Sequence, residues 1–91
     1  MDKVNIYEFD GIWVTAANVK DAIKVFEDIG FTIDELFEGD IFLVEILDDN
    51  KLNRYRYERE DSTSCSFADR LKEMIAEGEK FPALFAADST Y

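Results

Sequence analysis

Large apolar residues recur along almost the whole of this 91-residue chain, and their spacing alternates between the period of a strand and the period of a helix. Residues 4–9 form the first apolar run, Asp10-Gly11 follows it, and residues 12–15 form the second. An Asp-Gly pair between two β-prone runs is typical of a tight hairpin, because both central residues accept positive φ. The pattern therefore predicts that two antiparallel strands open the chain.

The next segment has the period of an amphipathic helix. Asn18 is a good N-cap, and Gly30 stands where a left-handed residue commonly ends a helix. Phe31 follows directly and is predicted to fold back onto the last turn. The apolar residues between the caps recur three or four positions apart and predict one buried face. They are Val19, Ala22, Ile23, Phe26 and Ile29.

A second hairpin is predicted from residues 31–37 and 41–47, turned at Glu38-Gly39-Asp40. The second of these strands is apolar on both faces, which is typical of a central strand covered by a helix on at least one side. One face would carry Phe42, Val44 and Ile46, and the other Ile41, Leu43 and Leu47.

The remainder of the chain predicts one more strand and one more helix. Residues 48–50 begin a turn with a short helical turn through Leu52, and residues 54–60 alternate charge and tyrosine as a half-buried strand does. Ser66 caps a second amphipathic helix that ends at Gly78. Residues 81–87 are apolar, and their proline restricts them to an extended or edge position.

This order of elements, strand-strand-helix followed by three strands and a helix, predicts the α+β class. Hairpins interrupted by a helix favour one mostly antiparallel sheet of four to five strands with two amphipathic helices. We expect residues 1–91 to form a single compact domain, because 91 residues with 47% hydrophobic content suffice for one core.

Charge adds the first functional information. The net charge is −11, and residues 27–49, hereafter the acidic segment, contain nine carboxylates but no Lys or Arg. Large apolar residues are interleaved with these acids, so the segment is predicted to fold. An acidic surface on a folded scaffold repels nucleic acid and anionic membrane and attracts basic protein surfaces. The alternative is that the charge serves solubility alone.

Eight carboxylates of the acidic segment are the candidate partner-binding residues. Carboxylates two positions apart on a strand are about 6.6 Å apart, similar to neighbouring phosphates of a nucleic-acid strand. The first pair, at the end of the first helix, also opposes the helix dipole, which costs a few tenths of a kcal/mol. The eight are Glu27, Asp28, Asp34, Glu35, Glu38, Asp40, Asp48 and Asp49.

The sequence lacks the usual residues of catalysis and metal binding. It has no histidine, the commonest general base and metal ligand near neutral pH, and its single cysteine, Cys65, has no histidine to activate it. We therefore expect neither an enzyme nor a cofactor or metal site, and one cysteine allows no internal disulfide. The first residues include Asp2 and form no apolar run, so neither a signal peptide nor a membrane span is predicted, and a cytoplasmic location is expected.

Residues 54–60 are the one basic and aromatic stretch, with Arg54, Arg56 and Arg59 around two tyrosines. Arginine interleaved with tyrosine can stack on single-stranded nucleic acid. Because the rest of the chain repels phosphate, we favour cross-strand pairing of this strand with an acidic neighbouring strand. A homodimer that joins the basic strand to the acidic surface of a second copy is a further possibility.

Two stretches, residues 12–18 leading into 21–26 and residues 66–71 running to 79–85, resemble small acidic proteins carried by phages and mobile elements. That class includes anti-restriction and anti-CRISPR inhibitors, many of which mimic DNA. The resemblance implies a non-enzymatic inhibitor in the cytoplasm of a bacterial host, bound to the basic surface of a nucleic-acid-processing protein. It implies no site residues.

The alternative function is a small homo-oligomeric structural or regulatory module with an aromatic interface, since Trp and Tyr are enriched at interface hot spots. Its candidate residues are Trp13, Tyr55, Tyr57, Phe81, Phe85 and Tyr91.

Overall fold

A computed structural model of the protein describes residues 4–59 and 61–87. The described residues have the predicted α+β architecture, with antiparallel strand pairs and one helix more than expected. In chain order the elements are β1 Asn5–Phe9, β2 Ile12–Ala16, α1 Val19–Ile29, β3 Phe37–Glu38, β4 Ile41–Phe42, β5 Glu45–Ile46, α2 Asp49–Arg54, β6 Arg56–Glu58, β7 Ser64–Ser66, α3 Phe67–Ala76 and β8 Ala83–Ala87.

The chain divides into two compact units. The first comprises residues 1–46 and 81–91, and the second comprises residues 47–80. We call them the sheet unit and the small unit. The expectation of a single domain stays a prediction. None of the helices described in either unit has the length and apolar character needed to cross a bilayer.

The sheet unit contains a four-stranded antiparallel sheet in the order β5-β1-β2-β8. Strands β1 and β2 form the predicted hairpin, with Tyr7 opposite Val14. Asp10 (φ 53°) and Gly11 (φ 76°) both adopt positive φ, the signature of a type I′ turn, whose twist matches that of the two strands. Strand β8 pairs with β2 at the sheet edge, in the extended edge position predicted from Pro82.

Helix α1 begins and ends where the sequence predicts. The Asn18 Oδ1 atom accepts a hydrogen bond from the Asp21 backbone N at 2.9 Å, and Gly30 ends the helix with φ 129°. The Phe31 backbone N then donates to the Phe26 carbonyl at 3.0 Å, so the chain folds back over the last turn. The buried core of the sheet unit comprises Tyr7, Val14, Ala16, Ala22, Phe26, Leu36 and Val44.

Replacing Asn18 by Ala is expected to lower the free energy of unfolding by about 1 kcal/mol, because the first turn of α1 loses its side-chain acceptor. Urea denaturation followed by circular dichroism measures this loss. Asn18→Ser keeps an acceptor and should stay close to the unsubstituted protein. Equal stability of the Ala and Ser variants would contradict a capping role.

The second predicted hairpin is wrong over most of its first strand. Residues 33–36 form turns, and β3 begins only at Phe37. The predicted second strand is divided, because β4 pairs with β3 whereas β5 pairs with β1 through Tyr7 opposite Ile46. The end of the predicted second strand therefore pairs with β1, which is distant in sequence, and not with the first strand of the predicted hairpin.

The small unit contains α2, the β6–β7 hairpin and α3. Asp48 caps α2, and Ser66 caps α3 as predicted, its Oγ accepting from the Asp69 backbone N at 3.1 Å. Helix α3 packs on α2. Of the large apolar residues of α3, Phe67, Leu71 and Met74 are buried, whereas Ile75 is exposed.

The predicted strand over residues 54–60 is shorter in the structure. Arg54 is the last residue of α2, and β6 covers Arg56–Glu58. Glu60 lies outside the described residues. The helical turn expected through Leu52 is thus a full six-residue helix, which leaves less of the chain for the strand.

Candidate functional site

The negative charge is concentrated in the sheet unit. Residues 1–46 and 81–91 contain twelve acidic and three basic residues, a net charge of −9, whereas residues 47–80 contain nine acidic and seven basic residues, a net charge of −2. Six of the eight candidate carboxylates belong to the sheet unit, and Asp48 and Asp49 belong to the small unit.

Glu27 and Asp28 lie in the last turn of α1, and both are exposed. That turn contains no basic residue, so the two carboxylates face the negative end of the helix dipole without a compensating cation in the same turn. The placement matches the prediction and leaves both groups accessible to a cationic partner.

Asp34 and Glu35 lie in the turns between α1 and β3, where a strand was predicted. Thr32 and Glu35 bind each other reciprocally: the Glu35 backbone N donates to Thr32 Oγ1 at 3.3 Å, and the Thr32 backbone N donates to Glu35 Oε1 at 3.4 Å. This is the pattern of a capping box, and it folds the segment into turns. The 6.6 Å strand spacing therefore does not describe these carboxylates.

Glu38 and Asp40 lie at the tip of the β3–β4 hairpin, as predicted. The two-residue loop is Gly39-Asp40, and of its two residues only Gly39 has positive φ (63°), as in a type II′ turn. Both carboxylates are exposed. Beneath them the Phe37 and Phe42 rings lie 4.9 Å apart and pack against the core of the sheet unit, which fixes the hairpin.

Asp48 and Asp49 have a local role at the start of α2. Asp48 Oδ1 accepts a hydrogen bond from the Lys51 backbone N at 2.9 Å, and Asp49 is the first residue of the helix. An acid at either position is stabilised by the helix dipole. These two carboxylates therefore have a structural explanation, as Glu35 has through its hydrogen bonds from Thr32.

Within residues 4–59 and 61–87, none of the eight candidate carboxylates forms an ion pair with a basic side chain. The ion pairs of the small unit instead join Glu73 to Arg59 and Arg70, and Arg70 to Glu77 at 3.9 Å. The six candidate carboxylates of the sheet unit thus have no ion-pair partner among the described residues, so they are available to a basic partner.

The predicted pairing of the basic strand with an acidic strand is wrong. Strand β6 pairs with the neutral strand β7, and Arg56 donates to the Ser64 hydroxyl at 3.1 Å. Arg59 finds its acidic partner on a helix instead, since its guanidinium donates to the Glu73 carboxylate of α3. Local sequence spacing could not reveal this contact, which joins residues fourteen positions apart.

An open cleft of about 350 Å³ in the small unit is lined by Tyr57, Arg59, Asp61 and Arg70. The Arg70 guanidinium lies 5.1 Å from the centre of the Tyr57 ring, and its Nη1 donates to Glu73 at 3.4 Å. The positive charges of the cleft are therefore already compensated by neighbouring carboxylates. The arrangement does not favour the nucleic-acid-binding alternative for this stretch.

The Arg59–Glu73 pair predicts a pH-dependent stability. The hydrogen bond from Arg59 holds the pKa of the Glu73 carboxyl below its ordinary value of 4.5. Since the folded-state pKa is the lower one, the ionised carboxylate stabilises the protein above the unfolded-state pKa, and this contribution is lost as pH falls through the folded-state pKa. Glu73→Gln should therefore be destabilised at neutral pH, and its difference from the unsubstituted protein should vanish in acid.

Urea denaturation at pH 7 and at about pH 3 measures this difference. Glu79→Gln, which removes an exposed carboxylate outside this network, is the matched control and should show no such pH-dependent difference. A Glu73→Gln effect of the same size at both pH values would show that packing of the side chain, rather than its charge, is responsible.

The aromatic candidates of the alternative function are largely engaged within their own units. Trp13 Nε1 donates to Glu8 Oε2 at 2.6 Å, and the Tyr55 and Phe67 rings meet edge to face at 5.6 Å. Phe85 is buried, and Tyr57 lies beneath Arg70. Phe81 is half-buried, and Tyr91 lies outside the described residues.

Exposed aliphatic residues within the acidic segment were not predicted. Four aliphatic residues of the predicted second hairpin are exposed instead, most of all Ile41 at 65%. The sequence did contain a signal, since residues 41–47 are apolar on both faces while few helices are available to cover them. The four are Ile33, Ile41, Leu43 and Ile46.

In the part of the chain that the structure describes, no group of three or more Cys, Asp or Glu side chains is arranged to hold a metal ion. The comparisons with known proteins found no match to this chain among family models, curated proteins or solved structures.

Proposed function

We propose that this protein is a non-enzymatic inhibitor that binds a nucleic-acid-processing protein through the acidic surface of its sheet unit. A bacterial defence nuclease, such as a CRISPR effector, is the partner class that the sequence resemblance implies, and the cytoplasm of a bacterial host is the corresponding location. The observation that carries the proposal is the set of six exposed carboxylates, without ion-pair partners among the described residues, on a unit of net charge −9.

Electrostatics explains why such a surface selects this type of partner. A groove that binds nucleic acid presents Lys and Arg side chains spaced to receive phosphates. Exposed carboxylates can accept charge-assisted hydrogen bonds from the same side chains and exclude the nucleic acid. The mimicry rests here on charge and on a fixed hairpin, because turns replace the regular strand spacing at Asp34 and Glu35.

We expect the eight carboxylates to contribute unequally to binding. Glu38 and Asp40 project from a hairpin that packed phenylalanines already hold in place. Little of the chain beneath these carboxylates therefore has to become ordered when the partner binds. Glu27 and Asp28 form no ion pair with another described residue. Asp48 already uses one oxygen to cap α2, so we expect it to contribute least to binding.

Affinity capture from a bacterial host lysate tests the proposal, with bound proteins identified by mass spectrometry. We expect a nuclease or another nucleic-acid-binding protein, released at high salt. The double variant Glu38→Lys/Asp40→Lys, immobilised in the same way, is the control and should not retain that protein. Recovery of proteins without any relation to nucleic acid would contradict the proposal.

The affinity for the captured partner should also weaken steeply between about 50 and 500 mM salt, because screening acts most strongly on exposed charges. Isothermal titration calorimetry at three salt concentrations measures the slope. A flat response would indicate that the acidic surface contributes little to the interface.

The aromatic homo-oligomer predicts a different result, a dimer that is insensitive to salt. Sedimentation velocity at low and high salt distinguishes the two functions. The internal contacts of Trp13, Tyr55 and Tyr57 and the burial of Phe85 favour the inhibitor, since they leave less aromatic surface for a second copy.

A further inference from the structure

The β3–β4 hairpin has two different faces. In its register Phe37 is opposite Phe42, and Glu38 is opposite Ile41. Since successive side chains of a strand point to opposite sides, the phenylalanine pair and the Glu38–Ile41 pair lie on different faces. The phenylalanine face packs against the core of the sheet unit, and the other face is outward.

The outward face carries exposed aliphatic surface. Ile41 is 65% exposed, and Leu43, two positions further along the same side, is 37% exposed. Val44, on the opposite side from Leu43, is only 9% exposed. The Leu43 backbone N donates to the Leu36 carbonyl at 2.9 Å, so backbone pairing of the two segments extends one residue beyond β4.

Two carboxylates lie next to Ile41. Glu38 is directly opposite Ile41 in the hairpin, where cross-strand side chains are about 5 Å apart, and Asp40 precedes Ile41 in the turn. Neither carboxylate forms an ion pair with another described residue. The outward face therefore combines an apolar centre with a negatively charged margin.

We infer that this outward face is the docking site for a basic amphipathic segment of the partner protein, with Ile41 and Leu43 as its central apolar contact. Charge complementarity fixes the type of occupant. A purely apolar partner would remove Glu38 and Asp40 from water without compensation, and a purely basic partner would leave the aliphatic side chains exposed. A segment that presents aliphatic side chains flanked by Lys or Arg satisfies both.

This inference rests on the proposed function and adds to it the surface chemistry of the partner. It also changes the expected energetics, since the centre of an interface is generally apolar and desolvated whereas its rim is polar. The carboxylates would then raise the association rate of the partner, and Ile41 would lower the dissociation rate of the complex.

A synthetic peptide serves as the probe. It has 14 residues, with leucines at helical spacing and lysines elsewhere, and an oligolysine of equal charge is the matched ligand. In a titration followed by ¹H–¹⁵N chemical shifts, we expect the amphipathic peptide to bind at least tenfold more tightly than oligolysine. The largest shifts should fall in residues 36–44.

Ile41→Thr is the decisive variant, because threonine keeps the β-branched shape that suits a strand but adds a hydroxyl. It should weaken the amphipathic peptide about tenfold and leave oligolysine binding unchanged. Leu84→Thr is the matched control, since Leu84 is 53% exposed on β8 of the same unit. It should bind both peptides as the unsubstituted protein does.

Unchanged peptide affinity in Ile41→Thr, or shifts located away from the hairpin, would overturn the inference. Its failure is distinguishable from failure of the proposed function. A captured nuclease that Ile41→Thr binds with full affinity would refute the docking site alone. Peptide binding that depends on Ile41, with no nucleic-acid-processing protein captured, would keep the docking site and refute the proposed partner class.

Discussion

Replacing Glu38 and Asp40 together by lysine is expected to lower the affinity for the nucleic-acid-processing partner by a factor of about 100 to 10,000 and so to abolish inhibition. A hydrogen bond to a charged group contributes about 1.5–3 kcal/mol, so the loss of two costs about 3–6 kcal/mol before any repulsion from the new lysines. Both side chains are exposed, and the hairpin is held from its other face by Phe37 and Phe42.

The fold should therefore be unaffected, with a change in the free energy of unfolding within about 0.5 kcal/mol. Titration calorimetry measures the affinity, and urea denaturation measures the stability of the same variant. Glu58→Lys/Glu79→Lys is the matched control, because it changes the net charge equally at two exposed residues outside the candidate set.

The control variant should lose less than about tenfold in affinity, through long-range attraction alone. Equal losses in the two double variants would show that total charge, rather than the hairpin, determines binding. Full inhibition by Glu38→Lys/Asp40→Lys would show that the hairpin tip lies outside the interface.

The elements that the sequence predicted correctly are determined by contacts within a few residues. Asp10-Gly11 supplies the two positive φ angles of its turn, and Asn18 and Ser66 cap helices three residues before the amides that they bind. In each case the side chain and its backbone partner are close in the chain, so the sequence alone contains both halves of the interaction.

The errors lie where distant residues decide the outcome. Glu45 and Ile46 leave the predicted hairpin because β1 offers them a ladder nearly forty residues away in sequence. The turns at residues 33–36 are a different case. Thr32 and Glu35 have the spacing of a capping box, a local signal that the apolar alternation of Phe31 and Ile33 obscured.

The candidate site was predicted in its charge but not in its shape. Acidic side chains without nearby cations in the chain are naturally exposed, so their accessibility followed from the sequence. The exposure of Ile41 did not, because it depends on which face of the hairpin packs on the core. A two-stranded hairpin is only marginally stable alone. Here the packing of the Phe37–Phe42 pair against the core determines which face is buried.

Replacing Phe26 by Ala is expected to lower the free energy of unfolding by about 3–5 kcal/mol, the largest effect on stability that we expect from one substitution in the sheet unit. Phe26 is fully buried, and its ring lies 6.1 Å from those of both Phe9 and Phe31 in edge-to-face contact. Truncation leaves a cavity between helix α1 and the sheet, which the surrounding side chains can fill only in part.

Urea denaturation measures the loss, and Val19→Ala on the same helix is the control. Val19 is 43% exposed, so its truncation should change the stability by less than about 1 kcal/mol. Similar effects at the two positions would contradict the placement of the core beneath α1. Domains of this size have only about 5–15 kcal/mol of stability, so Phe26→Ala should also raise the unfolded fraction measurably. Phe37 and Phe42 pack against the same core. The partner affinity of Phe26→Ala therefore depends on whether the hairpin stays folded as well as on the contacts that its side chains make.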